Sequence, residues 1–472
     1  MLKVYVVGLG KPNMEIGWPY HRFDVVAAMK EYREKLQRIG EPKGIEFHGY
    51  DVPEKESHII QLLDRLEDEN FDAVLAISLT AEFASLGPSI FKIADSGLPT
   101  VVYTKPFSTY WDGAGRLYKS GYKVVVCDSN NIEDVAPIFD VVKAVVKLKH
   151  TRLLLLKDYD YDIKCMDPRV KEPRWMGTSY FKRLKEIFGI ETVKRSIPDV
   201  FRYYEQVKEA DAKLLATEAI NASAGVLGPT KEDIAKAARL YLAVRNMMKA
   251  TDTNAVTIDC LSSIRHKTLP ISPCLTISRL NDEGIPAGCE ADVESLIILC
   301  FCHYLADRPG FQADPVIDES SNKIIFAHCT AATRLMGDRE PRFRYRFRTQ
   351  TESSRDVAIE VDIKENKEVT ILKLIGVMRA KSVCWPEVPV YKRFDGYHLL
   401  AYKAKTVKLA KLEWGCRTKV AIELTPDEIE TFKRNFYGHH RVLLYGDYVK
   451  QLQLLASFLG INFVNKLYLE VK

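Results

Sequence analysis

The stretch NDEGIPAGCEADVESLIILCFCHYLADRPGFQAD, residues 281–314, sets Glu290, Asp292 and Glu294 at the head of an apolar run and Asp314 beyond its end. Acids in the first turn of a helix are stabilised by the helix dipole by about 0.3–1 kcal/mol each, so these three have a structural explanation without any chemistry. The run SLIILCFCHYL, however, has no polar face to hold the N-terminus of a helix in water. An ionised carboxylate carried into the interior has to be paired or bound to a cation. Asp314, just before Pro315, falls where an extended segment is expected to end; it is either a turn aspartate ahead of proline or a partner for Glu290. Histidine supplies a third element. His328 follows the apolar KIIFA, and His439 and His440 precede RVLLY. Each lies at a strand margin, where a rigid scaffold can hold a ligand or a hydrogen-bonded structural imidazole. Neighbouring strand residues face opposite ways, so at most one of His439 and His440 reaches a given site. Two carboxylates and an imidazole with open positions suit Mn²⁺, Co²⁺, Mg²⁺ or Fe²⁺, whereas a closed thiolate set would indicate structural zinc.

These residues have to be positioned by a chain of 472 residues, too long for one hydrophobic core, since cores stop growing near roughly 250–300 residues. Through the first 160 residues or so, short apolar runs (KVYVVGLG, AVLAISL, PTVVYT, YKVVVCDS, TRLLLLK) alternate with helical patterns such as HIIQLLDRLEDE and VAPIFDVVKAVVKLK. Continuously apolar strands separated by helices predict a parallel sheet covered on both faces. A second α/β unit follows the loop CMDPRVKEPRWMGTSY, and a long loop with Pro270, Pro273 and Pro286 is expected ahead of the acidic segment. After residue 335 the alternation turns period-2 in RFRYRFRTQ, DVAIEVDI, VTILKLIGV and KVAIELT, the pattern of half-buried antiparallel strands. The expected architecture is α/β: two doubly wound Rossmann-like domains, residues 1–165 and 166–335, the second carrying the carboxylates, followed by a mainly antiparallel β-rich domain, residues 336–472, that brings the terminal histidine.

Composition narrows the classes. Apolar residues make up 47% and charged residues 28%, an ordinary globular balance, and the net charge of +5 provides no general attraction for nucleic acid or anionic lipid. Nucleic acid is therefore not an expected partner, and neither is membrane, because no run reaches the roughly eighteen apolar residues of a membrane span. Ten scattered cysteines without a C-x-x-C pair read as thiols in a reducing cytoplasm. Gly8-Leu9-Gly10 has part of a dinucleotide fingerprint, but the next glycine is Gly17, and a tight turn explains the pair. In PRFRYRFRT, Arg342, Arg344, Arg346 and Arg348 share one strand face and Phe343, Tyr345 and Phe347 the other; this is a basic, aromatic nucleic-acid strip, a strand with an aromatic core face and an arginine face against solvent or another subunit, or an arginine lining for an anionic substrate group.

The order PCLTISRLNDEGIPAGCEADVESL, FQAD, FAHC and GHHRVLLYGD resembles the L-fucose isomerase and L-arabinose isomerase superfamily, in particular its fucose-isomerase-like branch. The resemblance runs over nearly the whole chain through the three-part layout. It implies a metal-dependent aldose–ketose isomerase acting on a pentose, a deoxyhexose or a modified hexose through an ene-diol, with a divalent cation, Mn²⁺ first, as its cofactor. Glu290 and Asp314 take the catalytic and metal-binding carboxylate positions, His440 or His439 that of the terminal ligand, and His328 matches a histidine of the arabinose enzymes. It also implies a homo-oligomer, trimer or hexamer, in which the N-terminal domain helps to cover the monosaccharide. Trp18, His21 and Arg22 in GWPYHRFD, and Phe107 and Trp111 in KPFSTYWDGAG, are then the candidates for sugar contacts. A non-catalytic sugar-binding or regulatory protein on the same scaffold is the alternative.

Overall fold

The computed structural model describes residues 1–11, 18–80, 87–108, 117, 121–157, 178–376, 396–409 and 412–469. The chain divides into two compact units, Met1–Lys147 with Gln451–Ile461, and Leu148–Lys450 with Asn462–Lys472. The first unit holds a five-stranded parallel sheet of β1 (Leu2–Leu9), β2 (Ile45–Asp51), β3 (Ala73–Ser78), β4 (Thr100–Thr104) and β5 (Val124–Asp128), in the order β2-β1-β3-β4-β5. Parallel neighbours need crossover connections, and the Val25–Gly40, Glu56–Asp68 and Gly87–Ala94 helices lie along them. Asp24 starts the first helix by accepting from the N–H groups of Val26 and Ala27. A Cβ on Gly8 would come within 2.8 Å of Leu79 Cδ1 and Met29 Sδ, and one on Gly10 within 2.8 Å of Leu79 Cβ, so both glycines are there for close approach.

The second unit opens with another parallel sheet, β6 (Arg152–Leu156), β7 (Glu191–Arg195), β9 (Ala255–Ile258) and β10 (Ala287–Cys289), in the order β10-β9-β6-β7. Strand β6 is the TRLLLLK run, grouped by the sequence with the strands before it; it pairs with β7 and β9. The loop expected to mark the boundary, residues 158–177, lies outside the described residues. The proline-rich stretch expected as a long loop contains two helices, Cys260–His266 and Cys274–Asp282, and Pro273 is the cap residue of the second. Proline is tolerated at a helix start, where the missing N–H is needed least, so there it marks a beginning.

The C-terminal strands form a closed antiparallel barrel. β11 (Phe311–Asp318), β12 (Lys323–His328), β17 (Thr418–Glu423), β16 (His398–Val407), β15 (Glu368–Ile375) and β18 (Arg441–Tyr445) pair in that order, and β18 returns to β11. Closure removes exposed edges, and β19 (Asn462–Val464) adds in parallel to β16. Ile324, Phe326, Ile371, Val420, Ile422 and Leu443 are buried in one apolar cluster. Beside it β8 (Val226–Leu227), β13 (Tyr345–Thr349) and β14 (Val357–Val361) make a small sheet. Phe343, Tyr345 and Phe347 are buried there, while Arg346 binds the Asp362 carboxylate through two hydrogen bonds and Arg348 donates to Glu360 at 2.6 Å. Arg346 and Arg348 are thus paired with acids of this chain, and Arg342 Nη1 lies 3.9 Å from Asp282 Oδ2.

The Val293–Ala306 helix is buried nearly all round, including His303. His303 Nε2 lies 3.1 Å from Asn281 Oδ1, and Asn281 in turn bonds both the N–H and the carbonyl of Ala287, holding β10 in place. Burial holds the His303 imidazole down at about 4. Unfolded histidine takes up a proton near pH 6.5, which the folded chain refuses until about pH 4, so this contribution is full above pH 6.5 and is lost as the pH falls. The loss amounts to roughly 3 kcal/mol at pH 4. Urea unfolding of His303→Gln at pH 7 and pH 4 is therefore expected to show a smaller difference in stability than the parent; equal differences would contradict the assignment.

Candidate metal centre

Four side chains from separate segments meet at the second unit's interior. One ligand atom from each of Glu290, Asp314, His328 and His440 lies within 4.8 Å of all the others, a spread that a single ion can gather. Glu290 follows β10 directly. It was expected in the first turn of the helix with Asp292 and Glu294, but the helix starts at Val293, and only Glu294 is in that turn. Glu290 and Ala291 have φ of 60° and 52°, left-handed values that non-glycine residues adopt at a cost of about 1–3 kcal/mol each. The Gln312 side-chain amide fastens this turn, accepting from the Cys289 N–H at 2.9 Å and donating to the Cys289 carbonyl at 3.2 Å.

Asp292 has two tasks. It caps the helix, accepting from the Ser295 N–H at 2.9 Å, and its other oxygen lies 2.8 Å from His440 Nδ1. A carboxylate can only accept, so at that distance it holds the proton on Nδ1 and leaves the Nε2 lone pair free, the arrangement that orients ligating histidines. Nε2 is buried without a hydrogen-bond partner among the described residues, 3.5 Å from Glu290 Oε2 and 3.8 Å from Asp314 Oδ1. An orphaned buried lone pair facing two carboxylates fits a divalent cation. His328 completes the group: Thr330 Oγ1 stands 3.0 Å from its Nδ1, and its Nε2 is 3.8 Å from Glu290 Oε1.

Asp314 is not at the end of its segment, as expected, but in the middle of β11. Residues Phe311–Ala313 pair with β18 and Asp314–Asp318 with β12, so Asp314 marks the point where the strand changes partners. Pro315 follows where β18 has left that edge, a position where a missing N–H costs little. His440 stands directly before β18. Nη1 of the buried Arg441 lies 3.1–3.3 Å from the carbonyl oxygens of Tyr437, Gly438, His439 and His440, curling the turn around a guanidinium set between Phe432 and Phe436. His439 is exposed and outside the four-donor group.

Charge and burial work against each other in this place. Burial pushes the Glu290 carboxyl up to about 7, with Asp314 and Asp292 adding to the shift and His440 opposing it. Burial also tends to raise Asp292, but its bond to His440 and the Lys373 ammonium outweigh that and hold it well below the usual carboxylate range. Burial and the neighbouring His440 depress His328 to about 3, leaving it a neutral donor. Lys373 on β15 is buried, which lowers its ammonium against the pull of Asp292, Glu294 and Asp314.

Gln312 and Lys373 were not legible as site residues, and Asp292 was read only as a helix-end acid. Gln312 carried a signal, since it precedes Asp314 by two residues on the same strand face. Trp18, His21, Arg22 and Phe107 belong to the first unit, where Trp18 and Phe107 meet edge-on with ring centres 5.7 Å apart. Trp111 lies outside the described residues. No described helix is long and apolar enough to cross a membrane.

No family model matches the chain. It is similar to proteins named sulfoquinovose isomerase from Priestia aryabhattai and Priestia megaterium (strain ATCC 12872 / QMB1551), each 24% identical over 291 residues, which are 60% of this chain and 59% of theirs. A third of that name, from Alkalicoccus urumqiensis, is 19% identical over 287 residues with the same coverage. The chain thus spans less than two thirds of the length of these relatives. A periplasmic solute-binding protein of Actinobacillus succinogenes 130z with bound D-allose aligns over 57% of this chain and 84% of its own, at 13% identity and a TM-score of 0.17, too slight a likeness to carry an argument.

Proposed function

We propose that this protein is a divalent-metal-dependent aldose–ketose isomerase acting on a monosaccharide (a pentose, a deoxyhexose or a modified hexose) through an ene-diol. The observation that carries the reading is the convergence of Glu290, Asp314, His328 and His440, with a His440 Nε2 that has no hydrogen-bond partner among the described residues. The similarity to sugar isomerases supports it from a separate direction. Isomerisation moves one proton between adjacent carbons, and its barrier lies in the negative charge that develops on the sugar oxygens. A cation held by these four side chains supplies the electrostatic stabilisation for that charge. In this reading Glu290 and Asp314 take the carbon-bound proton and return it on the neighbouring carbon. Asp292 and Gln312 keep His440 and the Glu290 turn in register for that exchange. Mn²⁺ as the resident metal and assembly into trimers or hexamers belong to the same proposal.

The test is elemental analysis of the purified protein, followed by ketose detection over a panel of aldoses that includes sulfoquinovose, L-fucose and L-arabinose, with and without added Mn²⁺. Turnover of at least one aldose, lost on chelation and restored by the ion, is the expected result. A fully metal-loaded protein that binds these sugars but converts none of them would replace the reading with a sugar-binding role.

A further inference from the structure

A second group of potential ligands lies outside the four-donor centre and has no part in the proposed reaction. The thiols of Cys329 and Cys416 and one carboxylate oxygen of Glu352 lie within 4.8 Å of one another. They come from three separate segments: Cys329 follows β12, Glu352 stands in the turn after β13, and Cys416 precedes β17. Glu352 and Cys416 are 64 residues apart in sequence, yet the Cys416 thiol donates to Glu352 Oε1 at 3.4 Å. Each segment is pinned beside its donor. The Ile359 N–H bonds the Cys329 carbonyl at 3.2 Å, the Thr351 hydroxyl bonds the Gly415 carbonyl at 3.1 Å, and Arg417 Nε donates to the Thr349 carbonyl at 2.8 Å. Burial is graded across the trio, with Cys329 buried, Cys416 half-buried and Glu352 exposed, so an ion from solvent meets the carboxylate first and the inner thiol last.

We propose that Cys329, Cys416 and Glu352 form a second cation site, for a borderline or soft divalent ion of the zinc type. Two sulfur donors and one oxygen select such an ion over the Mn²⁺ or Mg²⁺ suited to the nitrogen and oxygen donors of the first centre. Binding replaces two S–H bonds with two sulfur–metal bonds and releases two protons to water, with no change of oxidation state. The fourth position is left to water. The ion ties the residue after His328 to the two turns that flank it, so its effect is to fix β12 at the end that carries a ligand of the first centre. The inference does not rest on the isomerase reading.

Cobalt distinguishes the two centres, because only thiolate ligation produces a sulfur-to-cobalt charge-transfer band. The reduced, metal-free full-length protein is titrated with Co²⁺ alone and followed in the near ultraviolet. A charge-transfer band that saturates at one equivalent for this site, persists in Glu290→Gln and is bleached by Zn²⁺ is expected. Cys416→Ser is expected to abolish the band, and the surface change Glu352→Gln to weaken Co²⁺ binding about tenfold while the protein stays folded. No band in the parent protein, a band undiminished in Cys416→Ser, or unchanged affinity in Glu352→Gln overturns the proposal. Failure of the isomerase assay leaves this titration unaffected, so the two readings fail separately.

Discussion

Replacing Glu290 by Gln is expected to abolish sugar turnover and yet to raise the melting temperature of the metal-free protein near pH 8. Both effects come from one carboxyl group. Without metal, burial and the nearby Asp314 and Asp292 charges push Glu290 up to about 7 from an ordinary 4.5, so its ionised form is the unfavourable one in the folded chain. A raised carboxyl contributes fully to stability below pH 4.5, and the contribution is lost as the pH rises through 7. At higher pH the buried charge costs roughly 3 kcal/mol, which a neutral amide of the same shape escapes. With metal present the order reverses: the cation pairs with the carboxylate, and the parent gains stability that the variant cannot. Under the proposed mechanism, loss of a proton-transferring carboxylate costs about 10²–10⁴-fold in rate by itself, and loss of a metal ligand adds to that. Thermal melts of both proteins with chelator and with excess Mn²⁺, run beside the ketose assay, check each part. A variant that melts below the parent without metal, or that keeps its activity, contradicts the assignment of Glu290.

The second large effect is expected at a residue outside the four-donor group. Asp292→Asn keeps the helix cap, since asparagine accepts from the N–H of Ser295 as aspartate does. What changes is the proton on His440. The carboxylate holds hydrogen on Nδ1 and the lone pair on Nε2, whereas an amide that donates to Nδ1 favours the other tautomer and puts hydrogen where the cation has to bind. Metal affinity is expected to drop about 10–100-fold, the usual cost of removing a partner behind a ligating histidine. Calorimetric titration with Mn²⁺ measures it directly, and unchanged affinity would reduce Asp292 to a helix cap.

The sequence made some parts of this arrangement readable and hid others for physical reasons. Parallel strands buried on both faces announce themselves as unbroken apolar runs, and β1, β3, β4, β5 and β6 all stand where such runs occur. Which sheet a run joins is a matter of long-range pairing, and so β6 was grouped with the strands that precede it in the chain. The residues that meet in the four-residue group stand at places readable by type, with Glu290 near a helix entrance and histidines at strand margins. Their backbone settings are not readable, because two left-handed residues in a row are not legible from Glu-Ala, and a strand that continues through proline looks like one that stops. In the arginine strip the alternation of an aromatic core face with an arginine face is legible, but the acids opposite it are not. Its partners, Glu360 and Asp362, are supplied by β14 and the residue after it, and only the pairing of β13 with β14 brings them together.

The position of β18 bears on how the protein comes off the ribosome. The strand lies between β15 and β11, so the barrel stays open along that seam until residues Arg441–Tyr445 have been made. The same short stretch begins one residue after His440. A nascent chain made only as far as residue 439 therefore exposes an unpaired strand edge, the hazard of late-closing β topologies, and offers three of the four donors. Closure of the barrel and completion of the four-donor group therefore wait for the same short segment, residues 440–445.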